Sequence, residues 1–223
     1  MKHILITGGA DGLGRVLAKK LVDQGHVVTI LDNDAAMAEQ TAQALDCSFV
    51  VADVSKADEV RAAVERVGKI DILVNNAGVW IQGELETNDD EAIRRTLEVN
   101  TLGSIYMAKA AVPIMQRQGG GRIINVISQA GLNAKAERSV YRASKWAMTG
   151  FTKSIQLELR PHGIAVTGFY PGLLNTRLFE KAGDNRDMSG ALDPAIAADA
   201  IVYICGLADY VEVPELGIDS LRS

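Results

Sequence analysis

The sequence is short of cysteine, of basic charge and of long apolar runs. Its two cysteines, Cys47 and Cys205, each lie in an apolar stretch, which favours buried thiols over a disulfide or a metal site. The net charge is −5 and there is no basic patch, which argues against nucleic-acid or membrane-surface binding. No segment approaches the ~18 apolar residues of a membrane span, and the first apolar run is too short for a signal peptide. We therefore expect a cytoplasmic protein.

Short apolar runs alternate with helical patterns along the whole chain. Such runs are typical of strands buried on both faces, and the alternation is typical of a parallel sheet covered by helices. The predicted strands lie at 3–6, 27–31, 48–51, 70–74, 122–127, 164–170 and 211–213, and the helices near 13–21, 35–45, 56–67, 89–118, 137–160 and 194–208. With 223 residues and no repeat or linker, the sequence predicts one α/β domain over residues 1–223, a doubly wound sheet of about seven strands.

Two of the predicted helices have unusual features. Pro113 lies inside the 89–118 pattern, where it is expected to bend or loosen the last turns. The pattern at 194–208 is apolar nearly all round, from Ile196 to Leu207, which indicates deep burial or a subunit contact.

A glycine-rich turn follows the first predicted strand. Gly8, Gly12 and Gly14 lie between that strand and the first helix, which begins near Leu13. Glycines let the backbone approach a pyrophosphate, and the helix N-terminus offers free N–H groups and a positive dipole end. The alternative is a tight turn with no ligand, but the strand–turn–helix context favours dinucleotide binding.

An acidic residue, Asp32, ends the second predicted strand, 20 residues beyond Gly12. A carboxylate at about this distance can accept hydrogen bonds from an adenosine ribose. The alternative is an ordinary cap for the next helix, although Asp34 could serve as that cap.

Tyr141 and Lys145 are four residues apart within the predicted helix 137–160. Residues at this spacing project from the same side of a helix. A nearby positive charge favours the phenolate, so the pair is expected to lower the phenol pKa from its ordinary value of about 10. Alone, the pair is weak evidence for catalysis.

Taken together and in order, these residues resemble the short-chain dehydrogenase/reductase family over most of the chain. The motifs are Thr7-Gly8-xxx-Gly12-x-Gly14, Asn75-Asn76-Ala77-Gly78, Asn100 in its long helix, Ser128 thirteen residues before the tyrosine, Tyr141-xxx-Lys145, and Pro171-Gly172 followed by Thr176. The resemblance implies a Rossmann fold, a nicotinamide cofactor, and a catalytic tetrad of Asn100, Ser128, Tyr141 and Lys145.

The residue types suit the roles that the resemblance implies. Tyr141 would exchange a proton with the substrate oxygen as general acid or base, and Lys145 would lower its pKa and hold the nicotinamide ribose. Ser128 would donate a hydrogen bond to the substrate oxygen, and Asn100 would position a water in a proton relay. Each of the last two has an alternative: Ser128 as a strand-end hydroxyl satisfying a loop, and Asn100 as a helix-interior amide bonding its own backbone.

The resemblance also implies a set of cofactor contacts, with NAD preferred over NADP. Asp32 and a 2′-phosphate would repel each other, and Asp11 stands where NADP-using relatives often carry a basic residue. Asp53 and Val54 would meet the adenine, and Leu174 and Thr176 the carboxamide. The full predicted set is Gly8, Asp11, Gly12, Leu13, Gly14, Asp32, Asp53, Val54, Asn76, Ala77, Gly78, Tyr141, Lys145, Pro171, Gly172, Leu174 and Thr176.

The predicted substrate is a small-molecule carbonyl compound or secondary alcohol. The residues expected to line its pocket are mostly apolar: Trp80, Gln129, Ala130, Leu132, Leu173, Leu178 and Phe179. A short substrate loop is expected near 172–193, and few residues follow the last predicted strand. The family usually pairs the helices that here carry Asn100 and Tyr141, so a homo-oligomer, a tetramer or a dimer, is expected.

Two other functions are consistent with the fold. A non-enzymatic NAD(P)-sensing protein is one, since a Rossmann fold alone does not imply catalysis, but such a protein has no need of Tyr141. A nucleotide-sugar epimerase or dehydratase is the other, but those relatives generally carry a larger C-terminal substrate region. The sequence therefore favours a dehydrogenase or reductase.

Overall fold

A seven-stranded parallel sheet forms the centre of the molecule in a computed structural model that describes residues 1–221. The strands are β1 (His3–Thr7), β2 (Val27–Asp32), β3 (Ser48–Val51), β4 (Ile72–Asn75), β5 (Gly121–Val126), β6 (Ile164–Pro171) and β7 (Glu215–Ile218). They are arranged in the order β3-β2-β1-β4-β5-β6-β7, and every neighbouring pair is parallel. The predicted doubly wound Rossmann fold is confirmed.

In the part of the chain that the structure describes, seven α-helices connect the strands. They are α1 (Gly12–Asp23), α2 (Ala35–Leu45), α3 (Ala57–Val67), α4 (Asp90–Leu97), α5 (Ser104–Gln118), α6 (Ser139–Leu159) and α7 (Pro194–Cys205). Short 3₁₀ turns lie at Leu85–Thr87, Gln129–Gly131, Arg160–His162 and Glu180–Ala182. Local capping defines several starts, since the side chains of Asp34, Asp89 and Asp193 accept from backbone N–H groups in the first turns of α2, α4 and α7.

Helices cover both faces of the sheet. Successive residues of a strand point to opposite faces, so each strand contributes side chains to both cores. Leu5 and Leu73 belong to a core shared with α3, α5 and α6, whereas Ile4 and Ile6 belong to a second core shared with α1, α2 and α7. Burying a Leu or Ile side chain fully contributes about 1.5–3 kcal/mol. The continuous apolar runs of the sequence therefore serve two cores at once.

The chain leaves the centre of the sheet in opposite directions at β1 and β4. From β1 it proceeds outward through β2 and β3, and from β4 it proceeds outward through β5, β6 and β7. In open sheets of this kind, ligands bind in the crevice beyond the carboxyl ends of the strands at this switch point. The fold thus places the loops after β1, β4, β5 and β6 around one crevice.

The last strand lies further along the chain than predicted. The sequence predicts it at 211–213, but β7 spans Glu215–Ile218. Pro214 has no N–H to donate, and its carbonyl accepts from Gly168 N at 2.9 Å, which opens the pairing of β6 with β7. The apolar residues before Pro214 form a loop instead, in which the Val211 carbonyl accepts from the Arg122 guanidinium at 2.9 Å.

The long helix predicted at 89–118 has three parts. Helix α4 passes through a π-helical segment, Glu98–Gly103, into α5. The segment brings Gly103 against Val54, where an added Cβ would lie 2.8 Å from the nearest methyl carbon. Helix α5 continues through Pro113 to Gln118 and ends at Gly119, whose φ is 84°. Such π-helical segments are frequent at functional sites.

Helix α7 packs one face on α1 and leaves the other uncovered. Ile201 and Ile204 are buried, whereas Ile196 and Tyr203 are 54% and 63% exposed.

The cysteine prediction is confirmed for one of the two residues. Cys205, at the end of α7, is buried, but Cys47 is only partly buried, and both thiols are free. Within residues 1–221, no helix is long and apolar enough to cross a membrane.

Candidate active site

A cleft of about 550 Å³ lies at the carboxyl ends of the central strands. Most residues that the sequence assigns to cofactor or catalysis line it. These are Gly8, Asp11, Gly12, Leu13, Asp32, Asp53, Val54, Asn76, Ala77, Gly78, Ser128, Tyr141, Lys145, Pro171, Gly172, Leu174 and Thr176. Gly14 and Asn100 are the two that lie behind its wall.

The glycine turn adopts the backbone that its sequence requires. Gly8 and Gly12 have φ of 61° and 54°, a region that other residues rarely adopt. A Cβ on Gly8 would lie 2.9 Å from Ala77 Cα. Gly14 has a packing role, since any Cβ there would clash with the Gly8 carbonyl. The turn therefore presents backbone without side chains to the cleft, and Gly14 lets α1 pack closely against the turn.

Asp11 caps α1 and holds the far loop to the turn. Its carboxylate accepts from Gly12 N at 2.8 Å and pairs with Lys181 at 2.8 Å, with Arg177 at 3.8 Å. Burial raises the pKa of this carboxyl, but the bonds from Lys181 and Gly12 lower it more, so the net pKa lies below its ordinary value. The sequence predicts Asp11 as a second repulsive group where NADP-using relatives often carry a basic residue. In the structure, Lys181 and Arg177 of the loop 172–193 pair with this carboxylate.

Asp32 faces the cleft at the end of β2 and does not cap α2. Its two oxygens accept from Ala10 N at 3.1 Å and Asp34 N at 3.2 Å. Asp34 caps α2 by accepting from Met37 N at 3.0 Å. The geometry therefore leaves Asp32 at the cleft and gives the capping role to Asp34.

Asp53 is held by its own loop and by Arg95. It accepts from the backbone and hydroxyl of Ser55 at 2.9 and 2.8 Å, and Arg95 binds it at 2.9 Å. Burial raises the pKa of the Asp53 carboxyl, but the bonds from Ser55 and Arg95 outweigh it and leave the pKa below its ordinary value. Asp53 is therefore an anion whose carboxylate is held in one orientation.

Asn76 fastens the glycine turn to the end of β4. Its amide donates to the carbonyls of Thr7 and Gly8 at 2.9 and 3.0 Å. In return, the Thr7 hydroxyl accepts from the backbone N–H of Asn76 and of Ala77, each at 3.0 Å. These bonds fix the floor of the cleft at the β1–β4 switch point.

Tyr141 is buried against aromatic side chains at the opposite end of the cleft. Its ring meets Trp80 edge-on, with centroids 4.4 Å apart. Burial raises the pKa of Tyr141 to about 12, although an interaction with the Ser128 hydroxyl and the nearby Arg142 and Arg186 charges act in the other direction. The prediction that the phenol pKa is lowered is therefore wrong for this structure, because loss of water outweighs the nearby positive charge.

Lys145 lies beside the phenol without bonding it. Its ammonium is 5.7 Å from the Tyr141 ring centroid and donates to the Val126 carbonyl at 3.2 Å. Burial lowers the pKa of Lys145 to about 8. Helical spacing does place the two side chains on one side of α6, as predicted, but the ammonium is directed to the end of β5.

Ser128 sits in a strained backbone conformation directly after β5. Its φ is 132°, a region in which a residue with a Cβ is uncommon. The hydroxyl oxygen accepts from Ala130 N at 3.1 Å, and the same hydroxyl interacts with the Tyr141 phenol. One hydroxyl therefore both accepts a hydrogen bond from its own loop and interacts with the tyrosine.

Asn100 lies in the π-helical segment and is buried. Its Oδ1 accepts from Val79 N at 2.8 Å, and its Nδ2 donates to Val79 O at 3.0 Å and to the Ser144 hydroxyl at 3.1 Å. A Cβ on Gly78 would lie 3.3 Å from Asn100 Oδ1 and 3.9 Å from Lys145 Nζ. Asn100 thus joins the loop after β4 to α6 immediately behind the cleft, and it does not bond its own helix backbone through its amide.

The substrate end of the cleft is walled by apolar side chains. Of the residues predicted for this pocket, Trp80, Gln129, Ala130, Leu173, Leu178 and Phe179 line it. Leu132 was assigned wrongly, because it lies outside the cleft lining and is 44% exposed. The loop 172–193 closes over this end, since Asp184 accepts from Trp80 Nε1 at 3.0 Å and pairs with Arg186.

Sequence reasoning missed a group of basic residues around the same end. They are Lys135, Arg138, Arg142 and Arg186, and all four line the cleft. The Arg186 guanidinium lies 4.5 Å from the Trp80 ring centroid and 4.2 Å from that of Phe179, and Arg138 lies 5.4 Å from Trp80. The density of basic residues in 135–142 and 177–186 was the available signal, but the chain's net negative charge obscured it.

Comparison with known proteins agrees with this geometry. The family model described as short chain dehydrogenase matches residues 2–187. A trans-4-hydroxycyclohexanecarboxylate dehydrogenase from Sinomonas cyclohexanicum is 39% identical over 190 residues, covering 78% of this chain and 73% of that protein.

Two solved structures superpose over nearly the whole chain. One is a 3-ketoacyl-(acyl-carrier-protein) reductase from Brucella melitensis complexed with NADH, with TM-score 0.89, 32% identity, and coverage of 99% of this chain and 98% of that one. The other is an alcohol dehydrogenase from Thermococcus sibiricus complexed with 5-hydroxy-NADP, with TM-score 0.92, 26% identity, and coverage of 100% and 98%. The family match, the relative and the shared fold lead to one conclusion: the chain belongs to the short chain dehydrogenase family of oxidoreductases.

Proposed function

We propose that the protein is an NAD-dependent dehydrogenase or reductase of secondary alcohols and carbonyl compounds, with Tyr141 as general acid and base. One observation carries the proposal. Tyr141, Ser128 and Lys145 line the same cleft as the glycine turn and Asp32. The strand order separates the two groups, since Ser128 follows β5 whereas the glycine turn follows β1 and Asp32 ends β2. A nicotinamide dinucleotide needs such a long cleft, with backbone N–H groups for its phosphates and an acid for a ribose.

The residues of the cleft fit a dinucleotide. Gly8 and Gly12 leave no side chain between the turn and a ligand, and the N-terminus of α1 lies directly behind them. Asp32 would hold a ribose, and Asp53 with Val54 would lie at the adenine end. When bound, the nicotinamide supplies the position that gives or takes the hydride.

Tyr141 and its neighbours would transfer the proton to or from the substrate oxygen. A phenol with a pKa of about 12 keeps its proton at neutral pH, so Tyr141 is ready to donate it to a carbonyl oxygen. Ser128 is placed to donate a hydrogen bond to the same oxygen. In the oxidative direction Tyr141 must accept a proton, and a Lys145 ammonium turned toward the phenol would lower the pKa that burial has raised. Asn100 acts as a positioning residue, because it holds the Gly78–Val79 backbone against α6.

The preference for NAD rests on Asp32. Its carboxylate faces the cleft, and a 2′-phosphate there would meet a like charge. Two of the cations that line the cleft are already bound to other acids, Arg95 to Asp53 and Lys181 to Asp11. The solved relatives include complexes with NADH and with 5-hydroxy-NADP, so the family fold accommodates both types of cofactor.

The proposal includes a homo-oligomer. Leu102 of the π-helical segment and Trp146 and Leu157 of α6 are 39%, 52% and 69% exposed, on the helices that the family pairs between subunits. Light scattering at micromolar concentration is expected to give a dimer or tetramer, and a monomer would contradict it. The cytoplasmic location stays a prediction.

The test is a turnover panel with purified protein. Secondary alcohols, cyclic hydroxy acids and the corresponding ketones are offered with NAD and NADP, and reduced nicotinamide is followed by its absorbance. The panel includes trans-4-hydroxycyclohexanecarboxylate, which the name of the Sinomonas relative suggests. Turnover with NAD supports the proposal, whereas NAD binding without turnover of any compound would favour a sensor.

A further inference from the structure

The substrate end of the cleft carries four cations around an apolar wall. Lys135, Arg138 and Arg142 come from the loop after β5 and the first turn of α6, and Arg186 comes from the loop 172–193. The Arg138 guanidinium carbon lies 5.4 Å from the Trp80 ring centroid, which is itself 4.4 Å from that of Tyr141. Arg138 is therefore within about 10 Å of the Tyr141 ring.

Three of these cations have no acidic partner. Arg186 is paired with Asp184. Among residues 1–221, Lys135, Arg138 and Arg142 form no ion pair.

The hydrogen bonds of Arg142 leave one buried nitrogen without a partner among the described residues. One terminal nitrogen of its guanidinium donates to the backbone and side-chain oxygens of Asn133. Its Nε is buried and, within the described part of the chain, has no hydrogen-bond partner. A buried N–H without a protein acceptor is rare in native structures, and a water or a ligand oxygen at this nitrogen would satisfy it.

The guanidinium groups also act unfavourably on one another. Burial lowers the pKa of Arg138, and repulsion from Arg186 and Arg142 lowers it further, whereas Asp184 and Glu137 oppose the shift. Like charges brought together at a cleft are relieved by an anion. Asp184 does not supply this anion because Arg186 and Trp80 already engage its carboxylate, and Asp219, at the Gly172 side, also has a partner.

We propose that the substrate carries a carboxylate, which Arg138, Arg142 and Lys135 bind while Tyr141 and Ser128 engage its alcohol or carbonyl oxygen. A guanidinium suits a carboxylate because its planar N–H groups match the two oxygens. The short distance from Arg138 to the Tyr141 ring fits a compact acid, with its carboxylate a few bonds from the carbinol carbon. Trp80, Leu178 and Phe179 would cover the apolar part between the two ends. This inference rests on the proposed function and specifies its substrate class.

The test compares an acid with its neutral ester. The kcat/KM of trans-4-hydroxycyclohexanecarboxylate is measured with NAD beside that of its methyl ester, which keeps the ring and the alcohol. Charge-assisted hydrogen bonds predict that the acid is preferred at least about tenfold, mainly through KM. Equal use of acid and ester would overturn the inference and leave the proposed function standing. No turnover of either, or of any other panel compound, would overturn both.

Variants assign the preference to the named residues. Arg138→Gln and Arg142→Gln are each expected to lower the acid-to-ester ratio about fivefold or more, and Arg142→Lys to retain part of it. Arg117→Gln makes the same substitution at an exposed position at the far end of α5 and should leave the ratio unchanged. A ratio that both cleft variants leave unchanged would overturn the assignment.

Salt dependence tests the same site in the wild-type protein, so its result does not depend on whether the variants fold. Raising the salt concentration screens charge attraction, so the kcat/KM of the acid is expected to fall more steeply than that of the ester. The same salt dependence for both would count against a carboxylate site.

Discussion

The two ends of the cleft treat charge in opposite ways. At the cofactor end, the carboxylates are all satisfied: Asp11 by Lys181, Asp53 by Arg95, and Asp32 by two backbone N–H groups. At the substrate end, three of the cations lining the cleft have no ion pair within residues 1–221. The acids of the first end already have hydrogen-bond or ion-pair partners, whereas the unpaired cations of the second end would gain a partner if the proposed anion binds.

Under the two proposals, cofactor choice would depend on repulsion at one end of the cleft, and substrate choice on attraction at the other. Under the proposed NAD preference, Asp32 would disfavour a 2′-phosphate by like-charge repulsion, which requires no movement. At the proposed carboxylate site, the unpaired cations near Tyr141 would select a ligand by attraction, and their mutual repulsion would be relieved on binding. Tyr141 and Lys145 lie between the two ends, so each of the following predictions tests one side of this comparison or the junction.

The largest effect is expected at the junction. Tyr141→Phe removes only the phenolic hydroxyl, and general acid–base catalysis contributes about 10²–10⁴ in rate, so kcat should fall at least about 100-fold. The Kd for NAD, measured by titration calorimetry, should be nearly unchanged because the ring remains against Trp80. Tyr203→Phe is the control, since Tyr203 is 63% exposed on α7. Near-normal turnover of Tyr141→Phe would remove Tyr141 from the mechanism.

The second effect is on stability as a function of pH. Lys145 has a folded pKa of about 8, below its ordinary 10.5. Its buried charge therefore destabilises the fold fully below about pH 8, and this penalty disappears as the pH rises past about 10.5. Tyr141, with its pKa raised to about 12, adds a penalty only above its ordinary pKa of 10.

Urea unfolding at about pH 7 and about pH 10 measures this term for the wild type and Lys145→Met. Between those values the wild type should gain on the variant by about 2–3 kcal/mol of unfolding free energy, since one pKa unit corresponds to about 1.4 kcal/mol. A difference between the two proteins that stays constant with pH would show that Lys145 titrates normally.

The third effect sharpens the acidic end. Asp32→Ala removes the repulsion toward a 2′-phosphate, so the NAD-to-NADP ratio of kcat/KM should fall about tenfold, the usual size of one charge-assisted contact. Asp34→Ala removes the same charge two residues further along and abolishes a helix cap instead. It should lower stability by about 1 kcal/mol and leave the ratio unchanged. A wild-type preference for NADPH would overturn the NAD assignment.

The smallest effect concerns the tie between the two ends. Lys181→Gln breaks the ion pair with Asp11, and Lys181 is half exposed, so the pair contributes only about 0.2–1 kcal/mol. The loop 172–193 should be cleaved a few times faster in limited proteolysis, with Tm nearly unchanged. Lys19→Gln breaks the exposed pair with Asp23 on α1 and should not alter cleavage of the loop. Unchanged cleavage in Lys181→Gln would show that other contacts hold the loop.

The sequence predicted the architecture well because its signals are local and periodic. Continuous apolar runs mark strands buried on two faces, and the glycine turn, Asp32 and Tyr141-xxx-Lys145 are short motifs with fixed spacing. Strand β7 was misplaced because Val211 and Val213 have the composition of a strand, whereas the pairing begins only at Pro214. Composition determines what a segment can become, and partners determine where the pairing starts.

The sequence alone determined the fold and the family, and it named most of the residues that line the cleft, Tyr141 and Lys145 among them. What only the tertiary structure decided is the electrostatic state of these groups. The high pKa of Tyr141 arises from burial against Trp80, and the ion pair of Asp11 with Lys181 joins residues 170 positions apart. The unpaired cations at the substrate end come together from separate segments. Desolvation and long-range pairing depend on distances in space, which a sequence pattern does not contain.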